Sequence, residues 1–482
     1  MKKTNLCAVL LLCAALTACG DAAGKTGNDT AADTAKATGA VTDTTAVETL
    51  YADDLGEMDF GGAQFRIRTI ENINVHSYVD VQESSADVYD QALFTRNRAV
   101  EERFNIVISE TIAEDNASLF KNLVLAGDDA FEMGTLRCTD ALTFWEDNLI
   151  YDISVLPHLD LTKPYWAQKL NESISIGGNQ YTVIGDYDIN VLDLTFALLF
   201  NKQMITDYDF TSPYTMVTDG SWTMDNMLAM MTEVIADING DGDMTEADRW
   251  GYLGDPRMVL PGFWIGAGEM SILKDENDCP YINMNSERFV EVFNRIFEIT
   301  WDAETRYETQ VIDADVPSEH VTIFSENRAL FMDVSLFHLQ ALRNMETDFG
   351  IIPYPKYDEA QQEYYSRVSY YWANVVPTTN VNLDMTGAVL EALNSMSSST
   401  VVPAYYEIAL KTKYSRDEES AAMLDLIFDN RVVDIGDTIL CADIRDNFIR
   451  EMFENNKRDL ASQLAKKEKA INKIFEKMPI WD

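Results

Sequence analysis

Oxygen-bearing side chains recur at alternate positions in one short segment, residues 237–248, which reads DINGDGDMTEAD. If its first Asp is position 1, oxygen ligands fall at positions 1, 3, 5 and 12, and a Gly occupies position 6, where calcium-binding loops turn sharply. The spacing predicts one structural calcium site, with a solvated acidic turn as the alternative, and the Asp at position 12 reaches less far than the usual Glu. The predicted ligands are Asp237, Asn239, Asp241, Asp243 through its carbonyl, Thr245 and Asp248.

Groups that usually carry catalysis are sparse in this sequence. The chain has four His residues, at positions 76, 158, 320 and 338, and none is paired at a metal-ligand spacing. No G-x-S-x-G, H-E-x-x-H or glycine-rich phosphate loop occurs. Glycoside hydrolysis needs only two carboxylates, whose separation a sequence does not give. The sequence therefore favours a protein that is not an enzyme, with a secreted carbohydrate-active hydrolase as an alternative.

Aromatic and polar side chains occur together next to predicted strand ends and turns. A sugar ring can stack on an aromatic face while its hydroxyls bond to planar polar groups. For any single one of these residues, packing in the core is the more frequent role. The candidate ligand-binding residues are Asp186, Tyr187, Trp264, Glu269, Asp333, Ser335, Phe337, Tyr370, Tyr371 and Trp372.

The N-terminus predicts export. Lys2 and Lys3 precede an apolar stretch, residues 6–16, which is shorter than the about 20 residues that span a bilayer and typical of a signal peptide. The stretch closes on LTACG, which resembles the lipobox of bacterial lipoproteins. That resemblance implies cleavage after residue 18 and a lipid on Cys19, the alternative being an ordinary signal peptide with an incidental Cys. Residues 19–50 lack aromatic side chains and predict a flexible stalk.

The charge balance of the chain excludes two classes of partner. The chain has 37 Lys and Arg against 80 Asp and Glu, a formal net charge of −43 at pH 7. A field of this sign repels nucleic acid and anionic lipid surfaces, so neither is an expected partner.

Three cysteines remain in the predicted folded part, Cys138, Cys279 and Cys441. They form no metal-binding pattern, and we expect them to be mostly buried thiols, with one disulfide as the alternative.

Residues 51–482 are long enough for two domains. Strand-like and helix-like segments alternate in them, which indicates α/β layers with mostly parallel strand pairing. The predicted strands are 65–70, 106–108, 131–136, 181–184, 192–200, 329–333 and 349–353, and the predicted helices are 90–104, 118–125, 221–236, 288–301 and 449–478.

Five segments resemble the extracellular solute-binding proteins of ABC importers, in the class that includes maltose-binding protein. They occur in the order in which that family has them, although residues 326–327 read EN where a Gly is usual. The segments are residues 96–106 (RNRAVEERFNI), 176–186 (IGGNQYTVIGD), 196–204 (FALLFNKQM), 324–331 (FSENRALF) and 348–356 (DFGIIPYPK).

This resemblance implies an α/β protein with a two-lobe periplasmic-binding-protein-like fold of class II, whose lobes are joined by hinge strands around a central ligand cleft. The expected lobes are residues 51–188 plus 336–402 and residues 189–335 plus 403–482. The implied function is capture of a solute, with a mono- or oligosaccharide as the leading candidate, and its delivery to the membrane subunits of an ABC importer. A peptide or another polar solute is the alternative. We expect a monomer at the extracellular face of the cell membrane, attached only by its lipid.

Overall fold

The computed structural model describes residues 50–70, 87–113, 116–307, 319–342, 344–406 and 417–478. The predicted signal peptide, Cys19 and the stalk up to residue 49 lie outside these residues. No helix in the described part of the chain is long and apolar enough to cross a membrane.

Strands and helices alternate along the chain. The strands are β1 (Ala63–Ile70), β2 (Ile106–Ala113), β3 (Met133–Arg137), β4 (Phe196–Asn201), β5 (Trp250–Leu253), β6 (Ile272–Lys274), β7 (Pro280–Ile282), β8 (Arg306–Tyr307), β9 (Ala329–Ser335), β10 (Phe349–Ile352), β11 (Ser366–Arg367), β12 (Trp372–Val375) and β13 (Arg431–Val432). The α-helices are α1 (Val88–Phe104), α2 (Asn116–Leu125), α3 (Cys138–Glu146), α4 (Gln168–Ile174), α5 (Asn190–Asp193), α6 (Lys202–Asp207), α7 (Pro213–Asp219), α8 (Met224–Val234), α9 (Pro256–Gly266), α10 (Glu287–Phe297), α11 (Glu319–Ser325), α12 (Leu383–Ser399), α13 (Val401–Pro403), α14 (Glu418–Asp429), α15 (Glu451–Glu454) and α16 (Leu460–Phe475). Shorter 3-10 or π turns cover Ile153–Val155, Glu298–Asp302, Leu336–Leu342 and Ala442–Arg450.

The first sheet has the strand order β12-β3-β1-β2. β1 runs parallel to both β2 and β3, whereas β12 is antiparallel to β3. The inward residues of β1, Phe65 and Ile67, are buried in one apolar cluster with Phe104 of α1 and Val389 of α12. The first lobe therefore contains chain segments about 300 residues apart in sequence.

The second sheet has the order β10-β4-β9-β5-β8. β4 is antiparallel to β10 and β9, while β5 is parallel to β9 and β8. Every residue of β4, FALLFN, is buried, as expected for a strand covered on both faces. The prediction of mostly parallel pairing is thus met by β3-β1-β2 and β9-β5-β8, while the pairs β12-β3, β10-β4 and β4-β9 are antiparallel.

Local sequence signals explain helix α8. Thr223 precedes α8, and its hydroxyl accepts a hydrogen bond from the backbone N–H of Asn226 (3.4 Å), which makes it the N-cap. Met227, Met231 and Val234 follow at helical spacing and are buried. The predicted helix over 221–236 is therefore confirmed, although it begins at residue 224 and ends at residue 234.

Two predicted elements differ from the structure. Residues 181–184 do not form a strand; Val183 makes one isolated bridge to Asn374, and the side chain of Asn171 accepts from the Ile184 N–H (2.7 Å). A side-chain amide here replaces the partner strand. The helix predicted over 449–478 is interrupted at Asn456, whose φ of 49° is left-handed, so that α15 and α16 are separate.

Residues 336–402, which were assigned to the first lobe, contribute to both sheets. Their strand β10 pairs with β4 in the second sheet, whereas β12 pairs with β3 in the first. The hairpin of β6 and β7 contacts the C-terminal end of α4, where the Lys274 ammonium donates to the carbonyl (3.0 Å) and hydroxyl (2.8 Å) of Ser175. The lobe boundaries stay predictions.

Candidate functional site

The parallel strands β5 and β9 end side by side, and polar residues follow both. After β5, the Asp255 carboxylate caps α9 by accepting from the Arg257 N–H (2.8 Å), and it also pairs with the Arg257 guanidinium (3.1 Å from Nε to Oδ1). At the end of β9, the Ser335 hydroxyl lies 2.6 Å from Nδ1 of His338. Ligands of open α/β sheets bind outside such carboxyl ends.

A buried ion network lies behind these strand ends. The Arg367 guanidinium binds both oxygens of Asp437, at 2.6 Å from Nε and 2.8 Å from Nη2. Arg445 Nη1 donates to Oδ1 of the same carboxylate (3.1 Å), and Arg367 Nη2 donates to the carbonyl of Arg257 (3.2 Å). Because Arg367 and Asp437 are almost completely buried, loss of either partner would leave an uncompensated charge.

The carboxyl end of β3 approaches the same network from the first sheet. Cys138 directly follows β3, and its thiol interacts electrostatically with Cys441 and Arg445, while burial raises its pKa to about 12. The exposed guanidinium of Arg137 lies 5.7 Å from the centre of the Trp372 ring. The segments that follow β3 and β5 therefore both approach the buried network around Asp437 and Arg445.

A cavity of about 200 Å³ lies beside the connection that leads from the first sheet into β4. Residues 184–192 form one wall, and residues 402–406 and 425–431 form the other. Its charged and aromatic lining consists of Asp186, Asp188, Tyr406, Asp425, Phe428, Asp429 and Arg431. We call it the Asp186 cavity.

The electrostatics of the Asp186 cavity are dominated by carboxylates. Burial raises the pKa of Asp186 to about 7, although the positive charge of Arg431 opposes the shift. Burial lowers the pKa of Arg431 to about 10, with Asp186 as the leading opposing charge. Asp425 accepts from the Tyr406 hydroxyl (2.5 Å), and Asp188 accepts from the Asn374 amide (3.3 Å). The cavity can therefore bind a small polar solute through several hydrogen-bond acceptors.

The other predicted ligand residues lie outside the lining of the Asp186 cavity. Trp264, Tyr187, Asp333, Tyr371 and Trp372 are buried, and the Trp264 indole donates to Asp434 (2.8 Å). Glu269 accepts from the Asn283 amide (3.0 Å). Tyr370 is half-buried against Trp372, Phe337 is half-buried against His338, and Ser335 ends β9. Of the ten candidates, Asp186 lines the cavity; their role as ligand contacts stays a prediction.

No sequence pattern identified the residues of the C-terminal part that line the Asp186 cavity. Arg431, Asp425 and Phe428 lie about 240 residues after Asp186, and no local pattern links them to it. The Asp-Pro-Arg sequence at residues 255–257 did carry a signal, since Asp is a good N-cap and Pro is favoured at the first helical position.

The predicted calcium loop lies between α8 and β5. The Asp237 carboxylate accepts from the N–H groups of Gly240 (2.6 Å) and Gly242 (2.9 Å), and Asp248 accepts from that of Ile238 (3.0 Å). Asp241 Oδ1 accepts from the Asp243 N–H (2.9 Å). In the described part of the chain, no group of three or more His, Cys, Asp or Glu side chains is arranged to hold a metal ion. The calcium ligands therefore stay a prediction.

Comparison with known proteins identifies the fold. No protein-family model and no curated protein sequence matches the chain. The galacto-N-biose/lacto-N-biose I-binding protein of an ABC transporter from Bifidobacterium longum, in complex with lacto-N-biose, is similar with a TM-score of 0.58 at 11% identity, over 86% of this chain and 98% of that one. A cyclo/maltodextrin-binding protein complexed with maltotetraose gives 0.55 at 12% identity, over 87% and 98%.

A third solved structure, an ABC transporter solute-binding protein from Thermotoga lettingae bound with α-D-tagatose, gives a TM-score of 0.53 at 13% identity, over 86% of this chain and 100% of that one. At these identities the likeness establishes the fold. The chain has the two-lobe α/β fold of periplasmic-binding-protein-like, sugar-binding proteins of ABC transporters. The predicted fold class and the resemblance to the maltose-binding-protein class are thereby confirmed.

Proposed function

We propose that this protein captures a small polar solute, in the first place a mono- or oligosaccharide, and delivers it to an ABC importer. The observation that carries the proposal is the Asp186 cavity, whose two walls come from residues before β4 and from the C-terminal part of the chain. The fold supports it, because solved structures of the same fold include proteins described in complex with lacto-N-biose and maltotetraose.

The cavity provides the two kinds of contact that a sugar needs. Asp186 and Asp188 present acceptors for hydroxyl groups, and the Tyr406 and Phe428 rings stand edge to face with centroids 4.7 Å apart. Closure of two lobes around a hinge buries a small ligand and couples its presence to the shape of the protein. An importer can recognise that shape change without contacting the solute.

Calorimetric titration and thermal-shift measurements with sugars and short peptides test this proposal. We expect one or more of these solutes to bind with a stoichiometry of one and to raise the melting temperature. Conversion of a bound glycan into products would instead favour the secreted hydrolase. If neither sugars nor peptides stabilise the protein at millimolar concentration, the solute-binding role is refuted.

The proposed location is the extracellular face of the membrane, with a lipid on Cys19. The support is the LTACG sequence at the end of a short apolar stretch. Cys19→Ala should move the protein from the membrane fraction to the medium and abolish labelling by a fatty acid. A Cys19→Ala protein that stays in the membrane fraction would contradict the anchor.

We also propose that residues 237–248 bind one structural calcium ion. The support is the ligand spacing together with the N–H groups that orient the Asp237 and Asp241 carboxylates. An ion at this place would stabilise the connection between α8 and β5.

A further inference from the structure

Four buried polar side chains lie close together between the second sheet and α9. Both oxygens of Asp333, the hydroxyls of Tyr252 and Tyr354, and Nη1 of Arg367 have no hydrogen-bond partner among the residues that the structure describes. These side chains are between 0% and 2% exposed. A buried polar group without a partner is costly, because it gives up its hydrogen bonds to bulk water without replacement. We infer that this group of side chains, the Asp333 cluster, binds an internal water molecule that bridges Asp333 to the polar groups around it.

The strand register places Asp333 and Tyr252 on one face of the sheet. Tyr252 of β5 lies opposite Phe331 of β9, and Asp333 follows Phe331 by two residues, so their side chains project to the same side. The Phe263 ring of α9 packs edge to face on Tyr252, with ring centres 5.8 Å apart, and on Tyr354, with ring centres 5.9 Å apart. The two phenol rings therefore lie next to each other under the same helix.

Arg367 reaches this face from β11. Its guanidinium carbon lies 4.6 Å from the centre of the Phe196 ring. Phe196 of β4 is paired with Ser335 of β9, which follows Asp333 by two residues, so Phe196 and Asp333 also project to the same side. Nε and Nη2 of Arg367 bind Asp437, and Nη1 remains for a further acceptor.

Electrostatic interactions confirm that the hydroxyls lie near the carboxyl. Burial raises the pKa of Tyr252 and of Tyr354, and the charge of Asp333 contributes the next largest increase in each pKa. Burial also raises the pKa of Asp333, and the positive charge of Arg367 opposes that shift. Polar groups that interact over more than the length of a direct hydrogen bond are suited to bridging by water.

The chemistry of the Asp333 cluster selects a small neutral ligand. A cation would be repelled by the Arg367 guanidinium, and an anion would be repelled by Asp333 and the nearby Asp255. A larger molecule is excluded by α9, because even a Cβ added at Gly262 would lie 2.7 Å from the Tyr354 hydroxyl oxygen.

Water meets these conditions, since it both donates and accepts. A buried water typically makes about three hydrogen bonds, and the cluster offers a carboxyl, two hydroxyls and one guanidinium N–H. Water can also satisfy the carboxyl in its protonated and in its ionised form. Through Arg367 and Asp437 the bound water would connect the second sheet to the buried ion network described above.

A high-resolution crystal structure of the protein tests the inference directly. We expect electron density for a water oxygen within about 3.2 Å of an Asp333 oxygen and of at least one other polar atom of the cluster. Well-defined density for all four side chains with no water among them overturns the inference, and so do direct hydrogen bonds that satisfy the cluster without water.

Urea unfolding of Tyr252→Phe and Tyr354→Phe gives a second test, because the sign of the effect distinguishes the two cases. Removal of a hydroxyl that is bonded to a bound water should raise the equilibrium constant for unfolding about twofold to tenfold, whereas removal of an unsatisfied buried hydroxyl leaves it unchanged or lowers it. We expect a rise in at least one variant, and the crystal structure decides whether water or a direct bond between the hydroxyls causes it.

Tyr281→Phe is the matched control, since it removes the same atom from an exposed position on β7, and its unfolding should match that of the parent. An unfolding constant that is unchanged or lowered in both Tyr252→Phe and Tyr354→Phe overturns the inference.

Discussion

Asp333 provides the sharpest test of the energetics, because it is a carboxyl in the middle of the second sheet. It lies in β9, is fully buried, and neither of its oxygens has a hydrogen-bond partner among the described residues. Burial raises its pKa from 3.8 to about 8; nearby Asp255 adds to the shift and Arg367 opposes it. The folded state therefore favours the protonated form, and Asp333→Asn mimics that form with nearly the same shape.

The sign and size of the effect follow from linkage between protonation and folding. A carboxyl whose pKa is raised in the folded state costs stability as the pH rises from its unfolded pKa towards its folded pKa. Each pH unit in this window corresponds to about 1.4 kcal/mol. Between about pH 5 and pH 8 the destabilisation of the folded state by Asp333 should grow by on the order of 4 kcal/mol. Above that range it should level off.

Urea unfolding of the parent and of Asp333→Asn across this pH range measures the difference directly. We expect the two free energies of unfolding to be within about 1 kcal/mol at low pH and to diverge by about 1.4 kcal/mol per pH unit, with the variant more stable. The pH-dependent contributions of other titrating groups, such as Asp434, cancel in the difference because both proteins contain them. Glu233→Gln, which removes a carboxylate from an exposed position on α8, should show no such divergence. A difference between parent and Asp333→Asn that is constant with pH would falsify the reasoning.

Three further predictions concern close packing, the contact between the β6-β7 hairpin and α4, and the metal. Gly387→Ala would place a Cβ 1.8 Å from the carbonyl oxygen of Pro157 and should lower the free energy of unfolding by about 1–3 kcal/mol, whereas Gly56→Ala, with no neighbour within 4 Å, should not. Lys274→Met removes the ammonium that binds the end of α4 and should cost about 1–2 kcal/mol in urea unfolding; an unchanged midpoint would mean that the contact contributes nothing. Asp241→Ala should abolish any rise in melting temperature that calcium causes, and an equal rise in the variant would contradict the loop as the calcium site.

Periodicity and apolar runs predicted the elements whose sequence determinants lie within the element itself. β4 reads as a continuous apolar run, and α8 has its N-cap and its buried stripe within a dozen residues. Residues 181–184 have the composition of a strand, but a strand also needs a partner. In the structure the Asn171 side chain satisfies the backbone there, which no pattern within those four residues indicates.

The site was less predictable than the fold because it is assembled from distant segments. Asp186 could be selected, since it follows an apolar run and a Gly. Arg431 and Asp425 could not, because their relevance depends on how α14 and β13 pack against residues 184–192. Aromatic residues near strand ends were equally compatible with the core, and Trp264 and Tyr371 are indeed buried.

The position of β12 and α12 in the first lobe sets the order in which the chain can fold during synthesis. β3 obtains its outer neighbour only when residues 372–375 are present, and α1 obtains its packing partner only with residues 383–399. Closing connections of this length costs conformational entropy before any contact compensates for it. The nascent first lobe therefore stays incomplete until most of the second lobe has been made. The export proposed above requires an unfolded chain, and this arrangement prolongs the unfolded state. Fragments ending before residue 372 are expected to aggregate through the uncovered edge of β3.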